Sequence, residues 1–147
     1  MRSRLMPLEY YLRTGEVEKV SKDPRTARAL IEKAEKRMKF VKSINITDDN
    51  ASFVFEDIYT IIQECAQCLM MADGYTSKGS HEAAIAFIAD KYREFGEKLV
   101  ADFDRYRKMR NDSIYRDNYV KASVAVEALG IAEEYIRITR LAFNSKV

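Results

Sequence analysis

Apolar residues recur every three or four positions through most of this chain, and nowhere do they alternate as in a half-buried strand. The clearest stripe is Ala27, Leu30, Ala34, Met38, Val41 and Ile44, with Arg28, Glu32, Lys33, Glu35 and Lys36 on the wet side. Ahead of it stands Ser21-Lys22-Asp23-Pro24, where Asp23 suits an N-cap and Pro24 the first helical position. The spacing predicts a helix from there to about Ile46. A connection at Thr47-Asp48-Asp49-Asn50 opens a longer helix to about Ala72, apolar all round: Phe53, Val54, Phe55, Ile58, Tyr59, Ile61, Ile62, Cys65, Ala66, Leu69 and Met70 cover more than one stripe. Such a helix is central in a bundle or shares its second face with another chain.

The remaining elements are shorter or weaker. The run from Asp73 through Gly74 to Gly79 is a loop, and Ser80 caps a helix from His81 to about Tyr92, with Glu82 in its first turn. Gly96 separates this from a helix over Glu97 to about Asp112. The last helix begins near Asp117 or Asn118 and runs through Val124, Ala128, Ile131, Tyr135, Ile138 and Ala142. A weak opening helix covers Leu8 to Val20, with Gly15 in its middle. The pattern predicts an all-α protein, an antiparallel up-and-down helical bundle with no sheet and with sequential helices as neighbours. Residues 1–22 form an N-terminal extension with room for one short helix, and residues 23–147 form the bundle.

Composition agrees and narrows the function classes. A chain of 147 residues buries roughly 70% of the surface its unfolded form exposes, enough for a core without staples. Five glycines and two prolines leave the helices uninterrupted. The formal charge of +2 is too small for a general nucleic-acid or membrane binder, so any basic function comes from local clustering. No apolar run has the length of a membrane span. Met1 to Pro7 carries basic residues with no apolar segment behind them, unlike a secretory signal, and a cytoplasmic protein is expected. Cys65 and Cys68 form a C-x-x-C inside a helix, without a second pair or a preceding strand, and read as buried structural cysteines. His81, the one histidine, reads as an ordinary residue beside a cap. No metal or cofactor is expected.

One stretch does not fit an ordinary bundle. Arg105-Tyr106-Arg107-Lys108-Met109-Arg110-Asn111-Asp112-Ser113-Ile114-Tyr115 sets four cations in six positions, then Asn-Asp, then a tyrosine. The inner stripe of that helix runs Leu99, Phe103, Tyr106, and the same face continues to Arg110. A guanidinium keeps its charge and is costly to bury alone. Arg110 is therefore either held by a carboxylate, such as Asp102, Asp104 or an acid of a second chain, or it faces a cleft where an anion binds.

Three pieces of the chain resemble the HEPN domains (higher eukaryotes and prokaryotes nucleotide-binding). These are Phe55-Glu56-Asp57-Ile58-Tyr59 leading to Asp73-Gly74-Tyr75; the loop into Ser80-His81-Glu82-Ala83-Ala84-Ile85; and Arg110-Asn111-x-x-x-Tyr115 before a long last helix. The likeness spans roughly residues 23 to 143. It implies a small bundle that dimerises through the face carrying an Arg-x4-6-His motif. In ribonuclease members that motif cuts RNA without metal: a 2′-hydroxyl attacks the adjacent phosphate, histidine handles protons, and arginine steadies the charge on phosphorus. Other members bind nucleotides or act as helper modules, and many pair with a minimal nucleotidyltransferase in toxin–antitoxin fashion.

This chain departs from the motif at the histidine slot, which holds Tyr115. With an unperturbed pKa near 10, a tyrosine is a poor general base at neutral pH. In an unbroken helix Arg110 and Tyr115 also point about 140° apart, so they serve one site only if the helix ends or bends between them.

Three functions follow. The first is an RNA- or nucleotide-binding module using Arg107, Lys108, Arg110, Asn111 and Arg116, partnered with a minimal nucleotidyltransferase. The second is a metal-independent endoribonuclease with Arg110 and Tyr115 as its catalytic pair, and the third a non-catalytic structural dimer. Arg110, Asn111 and Tyr115 are expected together at a cleft rimmed by Arg107, Lys108 and Arg116. A homodimer is expected, with Phe53, Tyr59 or Met70 at its interface.

Overall fold

The computed structural model describes residues 4–115 and 119–146, the side chains of residues 113–115 excepted. The elements are α1 (Leu8–Thr14), β1 (Glu18–Lys19), α2 (Pro24–Lys42), α3 (Ala51–Asp73), β2 (Tyr75–Thr76), α4 (His81–Lys91), α5 (Gly96–Tyr115) and α6 (Ala122–Asn144), with one 3-10 turn at Arg93–Phe95. The protein is all-α apart from one two-stranded ribbon. Local chemistry sets the helix starts as the sequence indicates. Asp23 Oδ1 accepts from Thr26 N at 3.0 Å with Pro24 next to it, and Ser80 Oγ accepts from Ala83 N at 3.2 Å.

Long-range contacts fix the helix directions. Asp23 N donates to Met71 O, and Arg37 reaches Asp57 and Glu64, so α2 and α3 are antiparallel. Val120 N donates to Ser52 Oγ near the start of α3, while Lys146 pairs with Asp73 at its end, so α6 runs parallel to α3. The Tyr135 hydroxyl meets Leu99 O and Arg105 meets Glu127, which sets α5 against α6. Two directions therefore alternate: α2 and α5 one way, α3 and α6 the other. The short α4 is the exception. His81 sits beside Tyr59 and Gln63 while Tyr92, just past the end of α4, bonds Asp73, so α4 runs with α3 instead of against it.

That exception arises from the segment between α3 and α4. Gly74 leaves α3 at φ 84°, and a Cβ there would lie 2.6 Å from the Val20 carbonyl oxygen. Only glycine fits both the left-handed backbone and the close approach. Val20 N then donates to Gly74 O at 2.8 Å, and β1 pairs antiparallel with β2, Glu18 opposite Thr76 and Lys19 opposite Tyr75. The chain doubles back along α3 as far as Ser77, which accepts a hydrogen bond from Gln67, before α4 begins.

The sequence pattern errs at several places for identifiable reasons. The opening helix ends at Thr14, since Gly15 caps it in the left-handed region at φ 82°, and residues 18–19 become ribbon. The expectation of no sheet misses that ribbon because two-residue strands carry no periodicity. On α2 the stripe holds at Ala27, Ala34, Met38 and Val41, but Ile31 takes the core position expected for Leu30, which is half-buried, and Ile44 lies beyond the helix end at Lys42. Helix α5 does not stop at Asp112 but continues to Tyr115. The expected start of α6 at Asp117 or Asn118 lies outside the described residues.

Helix α3 occupies the centre, packed by α2 and α6 on one side and α4 and α5 on the other. Its apolar excess is covered by the chain's own helices. Tyr59 and Met70, expected at a dimer interface, are fully buried; Phe53 is 71% exposed. Cys65 and Cys68 are buried free thiols, and burial pushes the Cys68 thiol up to about 12. Leu8, Tyr11 and Val17, from the N-terminal extension, pack into the same core. Among the described residues no helix is long and apolar enough to cross a membrane.

Candidate anion-binding site

Helix α5 carries five cations: Lys98, which reaches Asp102 at 2.8 Å, and the four of the basic stretch. Arg105 lies over the Tyr106 ring at 4.7 Å and pairs with Glu127 at 3.3 Å and Asp102 at 3.4 Å. Arg107 donates to Asp104 Oδ1 through Nε at 3.0 Å and Nη2 at 2.8 Å, with Glu82 at 3.8 Å. Lys108 reaches the other oxygen of Asp104 at 3.3 Å. Arg110 differs: its guanidinium carbon stands 5.7 Å from the centroid of the Tyr59 ring, and no carboxylate among the described residues pairs with it. The acids that a structural role would assign to it, Asp102 and Asp104, are taken by Lys98, Arg105, Arg107 and Lys108.

Tyr59 is the platform of the site. It is fully buried on α3, T-shaped against Phe103 at 5.9 Å, and the His81 ring stacks on it at 5.6 Å. Burial pushes its phenol well above the usual range, against the pull of Arg107 and Arg110. The hydroxyl is thus a fixed dipole and carries no charge.

His81 enters from α4, where the Ser80 cap and the doubled-back loop place it against α3. Its Nδ1 lies 2.9 Å from the Tyr59 hydroxyl and its Nε2 lies 2.8 Å from Gln63 Nε2. With the Gln63 amide in this assigned orientation, its N–H donates to Nε2, so the ring proton sits on Nδ1 and points at Tyr59. In that arrangement a second ring proton would face the amide N–H, which disfavours the charged imidazole. Burial depresses the His81 pKa first, and Arg110 and Arg107 depress it further. Next to it Glu82 accepts from the Tyr11 hydroxyl at 2.8 Å, tying α1 to the same corner.

The structure thus brings together Arg110 and Arg107 of the predicted residues, with Asn111 half-buried on the following position. Arg107 and Lys108 share the carboxylate of Asp104, and Glu82 lies 3.8 Å from Arg107, so both have carboxylate partners within the fold. Helix α5 is continuous through Tyr115, so the break needed to bring Arg110 and Tyr115 to one site is not there. The Tyr115 side chain and Arg116 lie outside the described residues. Sequence reasoning missed that Arg110 meets the Tyr59 ring and that His81 joins Tyr59 and Gln63 there. One signal was present: Tyr59, Gln63 and Gln67 recur every four residues, a polar line on α3 that needs partners.

One cavity of about 280 Å³, lined by Ala89, Tyr92, Arg93, Gly96, Glu97 and Val100, lies at the other end of α5. Arg93 and Glu97 are exposed there, so it presents no fixed charge to a ligand. No family model, curated protein or solved structure matches this chain.

Proposed function

We propose that this protein is a HEPN-like module that binds RNA or a nucleotide through a phosphate held at Arg110. The observation that carries the reading is the distribution of partners along α5: Lys98, Arg105, Arg107 and Lys108 have carboxylates, and Arg110 has a buried aromatic ring instead. A half-buried guanidinium without a carboxylate binds an oxyanion with two parallel donors and little reorganisation. Binding is favoured over cleavage by Arg110 and Tyr115, since the continuous helix withdraws support from that pair. On the same reading the expected protein partner is a minimal nucleotidyltransferase.

The test is binding of a labelled RNA oligomer to metal-free protein at two salt concentrations. Affinity should fall with salt, and Arg110→Ala should weaken it about tenfold or more, while Lys108→Ala changes it far less. Equal losses in the two variants would overturn the assignment to Arg110. Cleavage of the oligomer that Tyr115→Phe abolishes would return the endoribonuclease reading to first place.

A further inference from the structure

The charge around Arg110 also limits what sort of phosphate it meets. A protein that tracks a nucleic-acid strand needs a row of uncompensated cations, one for each phosphate neutralised. Among the described residues no such row runs from Arg110: Arg105, Arg107 and Lys108 each carry a carboxylate partner. What lies beside it instead is one group able to become a cation, the His81 imidazole. Both border the same ring, Arg110 at 5.7 Å and His81 at 5.6 Å from the Tyr59 centroid. Among the described residues bordering that ring, a second positive charge arises when His81 takes a proton.

We infer that the Arg110 site takes a terminal phosphate, the phosphomonoester of a nucleotide or of an RNA end, and that His81 is its second ligand, protonated as the phosphate binds. This rests on the reading of Arg110 as a phosphate ligand. A phosphodiester carries one negative charge and is matched by Arg110 alone, whereas a phosphomonoester carries about −1.5 to −2 near neutral pH and matches both groups. Burial and the charges of Arg110 and Arg107 lower the His81 pKa, which disfavours the imidazolium. A phosphate between them replaces that repulsion with attraction. The incoming proton goes to Nε2, where a phosphate oxygen takes the place of the Gln63 amide, while Nδ1–H keeps its bond to Tyr59.

The other groups around His81 are Tyr59 and Gln63 from α3, Glu82 and the Ser80 cap on α4, Arg107, Arg110 and Asp104 from α5, Tyr11 from α1 through Glu82, and Glu16, bonded to Ser80. Carboxylates, guanidinium ions and phenols ordinarily titrate outside the range from pH 6 to 8. The phosphomonoester itself titrates there, with a second pKa of about 6, but cations favour its dianion and draw protons off it, so net uptake is assigned to the imidazole and its loss in His81→Gln checks that assignment.

The experiment is titration calorimetry near pH 7 in two buffers of different ionisation enthalpy. The probes are adenosine 5′-monophosphate, a short RNA with a 5′-phosphate, and the same RNA with a 5′-hydroxyl. The phosphorylated ligands should bind about tenfold or more tightly than the hydroxyl RNA and with net proton uptake. His81→Gln should abolish the uptake and weaken the phosphorylated ligands severalfold. Stronger binding of the phosphorylated RNA than of the mononucleotide marks an RNA end as the ligand, and equal binding marks the nucleotide. The chain's single histidine supplies a check that needs no variant: its imidazole resonance should titrate at higher pH with the mononucleotide present.

Equal affinity for the two RNAs, lost alike in Arg110→Ala, would overturn this inference and leave the Arg110 reading standing. Uptake that persists in His81→Gln, or an unshifted histidine titration at saturation, would also overturn it. Binding of all three probes unchanged by Arg110→Ala would instead remove the underlying site.

Discussion

Two arginines of this molecule start from the same position and end differently. Arg37 on α2 and Arg110 on α5 are both half-buried and both lean on α3. Arg37 meets carboxylates: its Nε is 3.1 Å from Glu64 Oε1, its Nη2 donates to the other Glu64 oxygen at 3.4 Å, and its Nη1 is 3.3 Å from Asp57. Glu64 itself is only 9% exposed at the side chain, and its hydrogen bond holds the Arg37 guanidinium even more firmly protonated. Arg110 meets the Tyr59 ring and, through it, a neutral histidine. Helix α3 thus shows two faces to two cations, Asp57 and Glu64 toward α2, Tyr59 and Gln63 toward α4 and α5. The first arginine is tied by two carboxylates; the second has none among the described residues.

The largest effect that tests this contrast lies on the Arg37 side. Glu64→Ala leaves a half-buried guanidinium with only the more exposed Asp57, and should cost about 3 kcal/mol in urea unfolding. The double replacement Arg37→Met with Glu64→Leu should recover most of that, since an apolar pair of similar volume removes both charges. A Glu64→Ala loss near zero would mean the tie is not structural.

A smaller effect separates the two sides by pH. His81 has a folded pKa below its unfolded value, so between the two values the unfolded chain binds the extra proton. That contribution to stability is present above the unfolded histidine value of about 6.5 and is lost as pH falls toward the folded one. Unfolding of the empty protein between pH 7.5 and 5.5 should therefore show a steeper loss than the same curve for His81→Gln. Parallel curves would show that the imidazole is not held neutral.

The smallest effect is expected at Arg110. Arg110→Ala removes a cation over a ring and no ion pair, and should change the unfolding free energy by about 0.5 kcal/mol or less. A loss as large as that of Glu64→Ala would make the two arginines alike and would end the contrast.

The helices were legible in the sequence because their causes are local. Asp23-Pro24 and Ser80 start α2 and α4 where a reader of the chain would place them, and the three-to-four spacing of apolar residues marks α3 and α6. The anomaly of Arg110, an arginine continuing an apolar stripe, was legible as well. What the chain alone left open was whether Arg110 had a partner, since Asp102 and Asp104 both stand earlier on the same helix. Their places are taken by cations at i−4, i+3 and i+4 on α5, a matter of rotational phase and of Glu127 arriving from α6.

His81 illustrates the other limit. In sequence it is a residue beside a cap, more than twenty positions from Arg110. It reaches Tyr59 and Gln63 because the Gly74 turn and the short ribbon carry the chain back along α3 before α4 begins, so that α4 runs with α3. Periodicity along one helix determines which side is apolar, and the sequence therefore determined the bundle and its odd arginine. The side chains gathered around that arginine come from three helices, and their meeting depends on helix direction, register and one left-handed turn. Only the tertiary structure decided those, because each is set by packing between segments distant in the chain.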